Sequence, residues 1–326
     1  MEKRKILMVG YNFFGYELEI IEELKKNYEV EFINISMNFI ERGLLRVVNL
    51  FLKKYFFDVE KKLIEKKVKL LKNINKEEKI YILFVLGCWY NPSPTFFSYI
   101  DKNLKIEKKI LYIWDTVRGI RDFNNYRKNF DEVFSFDKEE SEKYNLIFRP
   151  TFYSKRLRKL KKIKVEEIYE ISFIGGFTEE RYTLIKKYIS IFSKKYIYIF
   201  VPSIKEYSKM LFNCKYNLKM IFPFIVKKEK YNKILYKSKI ILDLVRFNQT
   251  GLTQRIFDAL YLQKKIITTS TSVKNYDFYN SNNILVINEN TTSKEIEDFK
   301  RKKYIEIDKK IIDYYSIERW GEDIFK

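Results

Sequence analysis

A chain of 326 residues with 46% apolar content is longer than one ordinary core requires and predicts two domains. Nine glycines, five prolines and no internal repeat exclude a disordered or repetitive chain. The formal charge of +21 predicts a surface that attracts anions, and the complete absence of histidine excludes Ser-His-Asp and Cys-His nucleophiles in their usual form, with histidine metal sites.

The start, MEKRKILMVGYNFFGYELE, is only superficially like a signal peptide. Its apolar run contains Asn12 and meets Glu17 with no small-residue cleavage site, so it reads as a first strand (5–10) and a helix (15–27). Gly10 and Gly15 do not make a dinucleotide fingerprint, because bulky aromatics stand where closely spaced glycines belong. The turn is either plain or a substrate loop offering Tyr11, Asn12 and Glu17. Strands are expected at 28–34, 79–87, 108–115, 132–137 and 146–150, with helical stretches over 38–73 and 138–145. The longest apolar run, IYILFVLGCWY (80–90), is far too short to span a bilayer. Cys88 and Cys214 lie far apart with no pairing motif, as in a reduced cytosolic protein. In YIWDTVRG, Asp115 ends a strand and is a base, a ligand for a sugar hydroxyl, or the cap of the next segment. Asp137 reads as a helix cap.

The segment SKRLRKLKKIKVEE (154–167) carries seven basic residues and reads as a solvated linker, with a membrane or nucleic-acid contact as the alternative. The strand–helix rhythm then resumes. Strands are expected at 169–176, 196–201, 239–245, 264–270 and 283–290, with helices at 178–193, 203–213 and 251–263. The tail SIERWGEDIFK reads as a terminal helix with Trp320 and Phe325 available to dock. The whole reads as α/β, two doubly wound Rossmann-like domains facing a cleft: 1–153, a linker over 154–167, a second domain over 168–305, and a helical tail over 306–326 that packs back on the first.

Two stretches of the second half are suited to holding an anion. SFIGGFTEERYTL is strand, two glycines and helix, with Arg181 on the first turns; it lacks the lysine-serine ending of a P-loop, and a purely structural reading stands beside the anion reading. KIILDLVRFNQTGLTQRIFDAL is strand, loop and helix, with Arg246 in the loop, Gly251 at the helix start, and Arg255 and Asp258 beyond. Free amides plus arginine charge suit a diphosphate. The alternative is an ordinary amphipathic helix with an Arg255–Asp258 surface pair.

These stretches, with FSFDKEESEKYNLIFRPTFY (134–153), resemble the GT-B glycosyltransferases, close to the CgeB-like and group 1 transferases of bacterial polysaccharide and lipopolysaccharide loci. The resemblance implies a nucleotide-diphosphate-sugar as co-substrate, no cofactor and no metal. By position it places Gly175, Gly176 and Arg181 at the diphosphate, Arg246, Gly251, Leu252, Thr253 and Arg255 at phosphates and sugar, and Asp258 at the ribose. Where group 1 enzymes often carry two glutamates, this chain has Thr250 and Asp258. The implied acceptor is a glycan or lipid-linked sugar held on the amino-terminal side near Tyr11, Asn12, Glu17 and Asp115. Asp115 or Glu17 would serve as base in an inverting reaction, and Arg255 would stabilise the leaving group. A cytoplasmic enzyme follows, peripheral on an anionic membrane through the basic run 155–164, with no nucleic-acid partner expected. Two other functions fit the chain: a basic binding protein for nucleic acid or anionic lipid, and a sugar-nucleotide epimerase. The missing histidine disfavours the epimerase.

Overall fold

Lys5–Gly10, KILMVG, is buried at every position after the first, the mark of a parallel strand covered on both faces. The computed structural model describes residues 3–35, 78–87, 94–120, 122–161, 166–201, 203–246 and 249–326, with 44, 47, 48, 62 and 92 singly; most of the helical stretch expected over 38–73, and Cys88, lie outside the described residues. The first sheet contains β1 (Lys5–Gly10), β2 (Glu29–Asn34), β3 (Lys79–Leu86), β4 (Lys105–Ile113), β5 (Glu132–Ser135) and β6 (Ile147–Phe148). Their order is β2-β1-β3-β4-β5-β6, and every pair is parallel.

The second sheet contains β7 (Tyr169–Gly176), β8 (Lys195–Phe200), β9 (Ile221–Phe222), β10 (Ser238–Asp243), β11 (Lys265–Thr268) and β12 (Ile284–Val286). It too is wholly parallel, in the order β12-β11-β10-β7-β8-β9. Alternation along β10 shows how one strand serves two layers. Ile240 and Leu242 join one core cluster with Phe173, Ile185 and Phe299, while Ile241 joins another with Ile256, Phe257 and Ile266. Two doubly wound sheets were expected from the alternation of strand and helix, and two are found. Strand β9 was not anticipated because two residues carry no periodicity. The helix Lys228–Tyr236 escaped notice because its sequence, KEKYNKILY, is mostly charged and polar.

The chain divides into two compact units, Met1–Pro150 with Trp320–Lys326, and Thr151–Arg319. The basic segment read as a linker begins inside the second unit: Ser154 and Leu157 are fully buried, and Arg158 forms two bonds to Glu318 at 2.7 and 2.6 Å. Among the described residues no helix is long and apolar enough to cross a membrane.

Within the first unit the tail is anchored by two rings and an ion pair. Trp320 is fully buried, edge-on to Tyr112 at 5.0 Å, and Arg149 lies 3.1 Å from Asp323. Phe325 packs against Tyr28 and Tyr81. Trp320→Ala is expected to cost about 4 kcal/mol, the scale of a buried aromatic truncation. Urea denaturation followed by tyrosine fluorescence measures it, and an unshifted midpoint would contradict the anchoring role.

Candidate functional site

In the second sheet β7 lies centrally; the chain adds β8 and β9 on one side, then returns to lay down β10, β11 and β12 on the other. The loops leaving β7 and β10 therefore diverge and open a crevice at their carboxyl ends, where open α/β sheets bind ligands. Gly175 and Gly176 end β7, and Asp243 ends β10.

Three arginines gather there. Arg255, on the second position of the helix Gln254–Tyr261, donates from Nη1 to Asp243 Oδ1 at 2.6 Å and from Nη2 to the Ile174 carbonyl at 3.0 Å. Its guanidinium lies 5.2 Å from the centre of the Phe173 ring. Arg181 donates from Nε to the Leu244 carbonyl at 2.8 Å and from Nη1 to the Gly176 carbonyl at 3.0 Å. Arg246 is exposed in the loop after β10 and has no carboxylate partner among the described residues. A Cβ at Gly175 would stand 2.7 Å from the Phe173 ring and 3.4 Å from Arg255 Nη2, so only glycine lets ring and guanidinium pack there.

The charge balance is uneven. Asp243 is wholly buried and also accepts from Thr253 Oγ1 at 2.6 Å and Thr268 Oγ1 at 3.1 Å. It is a single buried carboxylate beside three guanidinium groups. Burial first, and the Arg255 charge second, push the Arg181 guanidinium down to about 10. A bound anion would relieve both arginines. Each guanidinium carries five N–H groups in a fixed fork, and the backbone and Asp243 take only some of them. Arg255 Nε is buried with no hydrogen-bond partner. Thr253 gives its hydroxyl to Asp243 and does not cap the helix. By contrast, Thr178 caps the helix Glu179–Tyr188 by accepting from the Arg181 backbone N–H.

The structure therefore brings Gly175, Gly176, Arg181, Arg246, Thr253 and Arg255 together at one sheet edge. Three expectations are replaced. Arg255 pairs with Asp243, not with Asp258 in a surface contact. Leu252 is 1% exposed and belongs to the core, so it has no face for a sugar, and Gly251 is buried beside it. Asp258 is fully buried: it accepts from the Ser154 N–H at 2.7 Å and Tyr231 OH at 3.3 Å, with Lys228 Nζ 3.7 Å away. That carboxylate ties three segments together and has no room for a ribose. Asp243 was missed, because an acid inside the apolar run KIILDLV reads as a strand residue; its burial in such a run was the available signal.

In the first unit the residues expected on the acceptor side follow β1 and β4. Tyr11 is buried and Asn12 exposed, accepting from Asn34 Nδ2 at 2.9 Å. Glu17 is 4% exposed and accepts from the Phe13 and Gly15 N–H groups at 2.7 and 3.1 Å. Those bonds stabilise a turn in which Phe14 (φ 53°) and Gly15 (φ 86°) are both left-handed. Glu17 is thus a structural acceptor and is not placed to take a proton. Asp115 is half-buried and accepts from the Thr116 N–H at 2.8 Å. Asp137 caps its helix, as expected, by accepting from Glu139 and Glu140 N–H. This leaves the Glu140 carboxylate to reach across to the Val117 N–H at 2.9 Å. Burial raises Glu140 to about 7, with Asp137 and Asp115 adding to the shift and Val117 N–H and Arg118 opposing it. Sequence reasoning missed Glu140 because it stands in a cluster of acids suited to a helix start.

No family model and no curated protein sequence matches the chain. Solved structures do. Over 99% of this chain and 100% of the other, it is similar to an alpha-glucosyltransferase in complex with UDP and a 13-mer DNA containing a central A:G mismatch, at 14% identity and a TM-score of 0.64. It is similar to AviGT4, a glycosyltransferase involved in avilamycin A biosynthesis, at 8% identity and a TM-score of 0.55, covering 99% and 96% of the two chains. A UDP-N-acetylglucosamine 2-epimerase follows at 12% identity and a TM-score of 0.46, over 99% and 95%. With its two parallel six-stranded sheets, the chain has the GT-B fold.

Two outcomes follow from these placements. Asp258→Ala removes the acceptor for a buried N–H and a buried hydroxyl and should cost roughly 3 kcal/mol, while the Arg255–Asp243 pair of the folded variant stays as in the parent. Thermal unfolding measures the cost, and an unshifted melting temperature would contradict the structural role of Asp258. Glu140 holds its proton more tightly folded (about 7) than at its ordinary value of 4.5, so its contribution to stability is present at low pH and falls away as pH rises between those values. Glu140→Gln should therefore gain stability relative to the parent across that window and hold a constant gain above it. A parallel pair of stability–pH curves would refute the shift.

Proposed function

We propose that this chain transfers a sugar from a nucleotide-diphosphate donor seated at the β7/β10 switch point. The observation that carries this reading is the arginine group Arg181, Arg246 and Arg255, set against the single buried Asp243, with Arg181 and Arg255 fixed by backbone carbonyls. Support comes from the UDP bound in the similar alpha-glucosyltransferase. In the reaction the anomeric carbon–oxygen bond to the diphosphate breaks and a bond to an acceptor oxygen forms. The acceptor loses a proton, and the diphosphate leaves with added charge. Arginines already locked in place stabilise that charge without reorganising, which lowers the barrier beyond any effect on ground-state binding. The acceptor is a glycan or lipid-linked sugar of cell-surface polysaccharide or lipopolysaccharide synthesis. With Glu17 committed to two amides, Asp115 is the base where the anomeric centre inverts.

Calorimetry with UDP and other nucleoside diphosphates, followed by donor turnover on a panel of glycolipids, free glycans and duplex DNA, tests the reading. Arg246→Ala should weaken nucleotide binding roughly tenfold with an unchanged melting temperature, the scale of one charge-assisted hydrogen bond at an exposed site. Arg255→Ala should lower turnover about a hundredfold, as removal of a fixed transition-state hydrogen-bond donor does. It should also destabilise the fold, since Asp243 loses its ion pair. A parent protein with no affinity for any nucleoside diphosphate, or an Arg246→Ala variant that binds as tightly as the parent, would remove the basis of the assignment.

A further inference from the structure

The second unit carries an apolar surface that the sugar-transfer reading does not use. Ile204, Leu211, Phe212, Leu218, Phe224 and Ile225 are all exposed, with Phe212 at 89%, Ile204 at 76% and Phe224 at 72%, the three highest values among the large hydrophobic side chains described. Single exposed apolar residues need no account, but six within residues 204–225 are a concentration of exposed hydrocarbon in one stretch of the chain.

The local fold explains why they cannot turn inward. In the helix Ile204–Leu211 the inward positions are taken by Tyr207 and Met210, which pack on the core cluster of the sheet. Ile204 and Leu211 are left on the outer flank, with Lys205 and Lys209 exposed beside them. Phe212 follows at the helix end. Strand β9 is only two residues long, and Pro223 has no N–H with which to extend it, so Phe224 and Ile225 are carried out past the sheet edge. The backbone beneath them is fixed, since Tyr198 OH donates to the Phe224 carbonyl at 2.9 Å.

Charge identifies the partner. Residues 204–225 contain four lysines, at 205, 209, 215 and 219, against the one acid Glu206; Lys215 is paired with Glu179 at 2.7 Å, which leaves the exposed Lys205, Lys209 and Lys219 to set the sign of the face. We propose that this face docks on an anionic lipid surface, with the apolar side chains entering the headgroup boundary and the lysines meeting the lipid charge. Four of the six apolar residues are aliphatic. Aliphatic side chains gain from hydrocarbon and do not stack on nucleobases, which favours lipid over nucleic acid. Lysine stems lie along apolar surface while their ammonium groups stay at the polar level. The basic run 155–164, expected at the membrane from charge alone, has no exposed large apolar residue among its described positions. This inference stands independently of the sugar-transfer reading.

Flotation of the full chain with phosphatidylcholine vesicles and with phosphatidylcholine–phosphatidylserine vesicles tests it. The parent should float with the anionic vesicles only, and added salt should weaken the association. A Phe212→Ser, Phe224→Ser double variant should bind about a hundredfold more weakly, roughly tenfold per ring withdrawn from the interface. Because both rings are exposed, its melting temperature should match the parent's. Lys205→Glu with Lys209→Glu should abolish the preference for anionic vesicles. Flotation that persists in the double ring variant, or equal binding to neutral and anionic vesicles, would overturn the proposal. So would binding to a single-stranded oligonucleotide that needs Phe212 and Phe224, with no vesicle binding.

Discussion

The second sheet's ligand edge depends on one buried ion pair, Arg255 with Asp243. A lone carboxylate at the end of a parallel strand, wholly out of water, is costly unless every lone pair finds a partner. Asp243 finds Arg255, Thr253 and Thr268, drawn from the helix Gln254–Tyr261, the residue before it and a neighbouring strand. Those bonds fix where the helix Gln254–Tyr261 begins. They also draw the Thr253 hydroxyl away from the capping position it would ordinarily take, and they hold the Arg255 guanidinium over the Phe173 ring. The anchoring of Arg181 by two backbone carbonyls completes a rigid cationic edge. Rigidity matters because a site that stabilises developing charge gains most when its dipoles need not move during the reaction.

Charge in this protein has to be judged by location and not by total. A formal +21 attracts anions of every kind and selects none. Basic residues paired with acids add nothing to that excess: Arg158 in the basic run is held by Glu318, and Lys215 by Glu179. What distinguishes the β7/β10 edge is positive charge placed where burial makes it strong, and Arg181 titrates low as a result. What distinguishes residues 204–225 is moderate positive charge interleaved with exposed hydrocarbon. The first arrangement suits a compact polyanion, the second an interface that is both charged and oily.

The buried acids teach a related lesson. Glu17, Asp243 and Asp258 all stand where a sequence motif suggests chemistry or a simple strand, and each is occupied by N–H or O–H groups of its own chain. An acid at a loop–helix junction has two uses, accepting orphan amides or meeting a ligand, and residue type does not distinguish them. Exposure and partner count do. Glu140 shows the reverse case: with Asp137 already capping the helix, it is a spare acid, and its raised pKa follows first from burial and then from the neighbouring Asp137 and Asp115.

The sequence by itself determined the alternation of apolar strands with amphipathic helices, hence two parallel sheets, and it placed Arg181, Arg246 and Arg255 after strand ends. Those features are local: period, length and the residues bordering a strand decide them. The strand order was not local, and it alone made the ends of β7 and β10 neighbours. Residues 81 positions apart, Ile174 and Arg255, are bonded because the chain returns to pair β10 beside β7. The choice of Asp243 over Asp258 as partner to Arg255 was likewise tertiary. Three residues along a helix brings Asp258 near in sequence, but only the sheet decides which carboxylate faces the guanidinium, and Asp258 turns into the core to hold Ser154 and Tyr231.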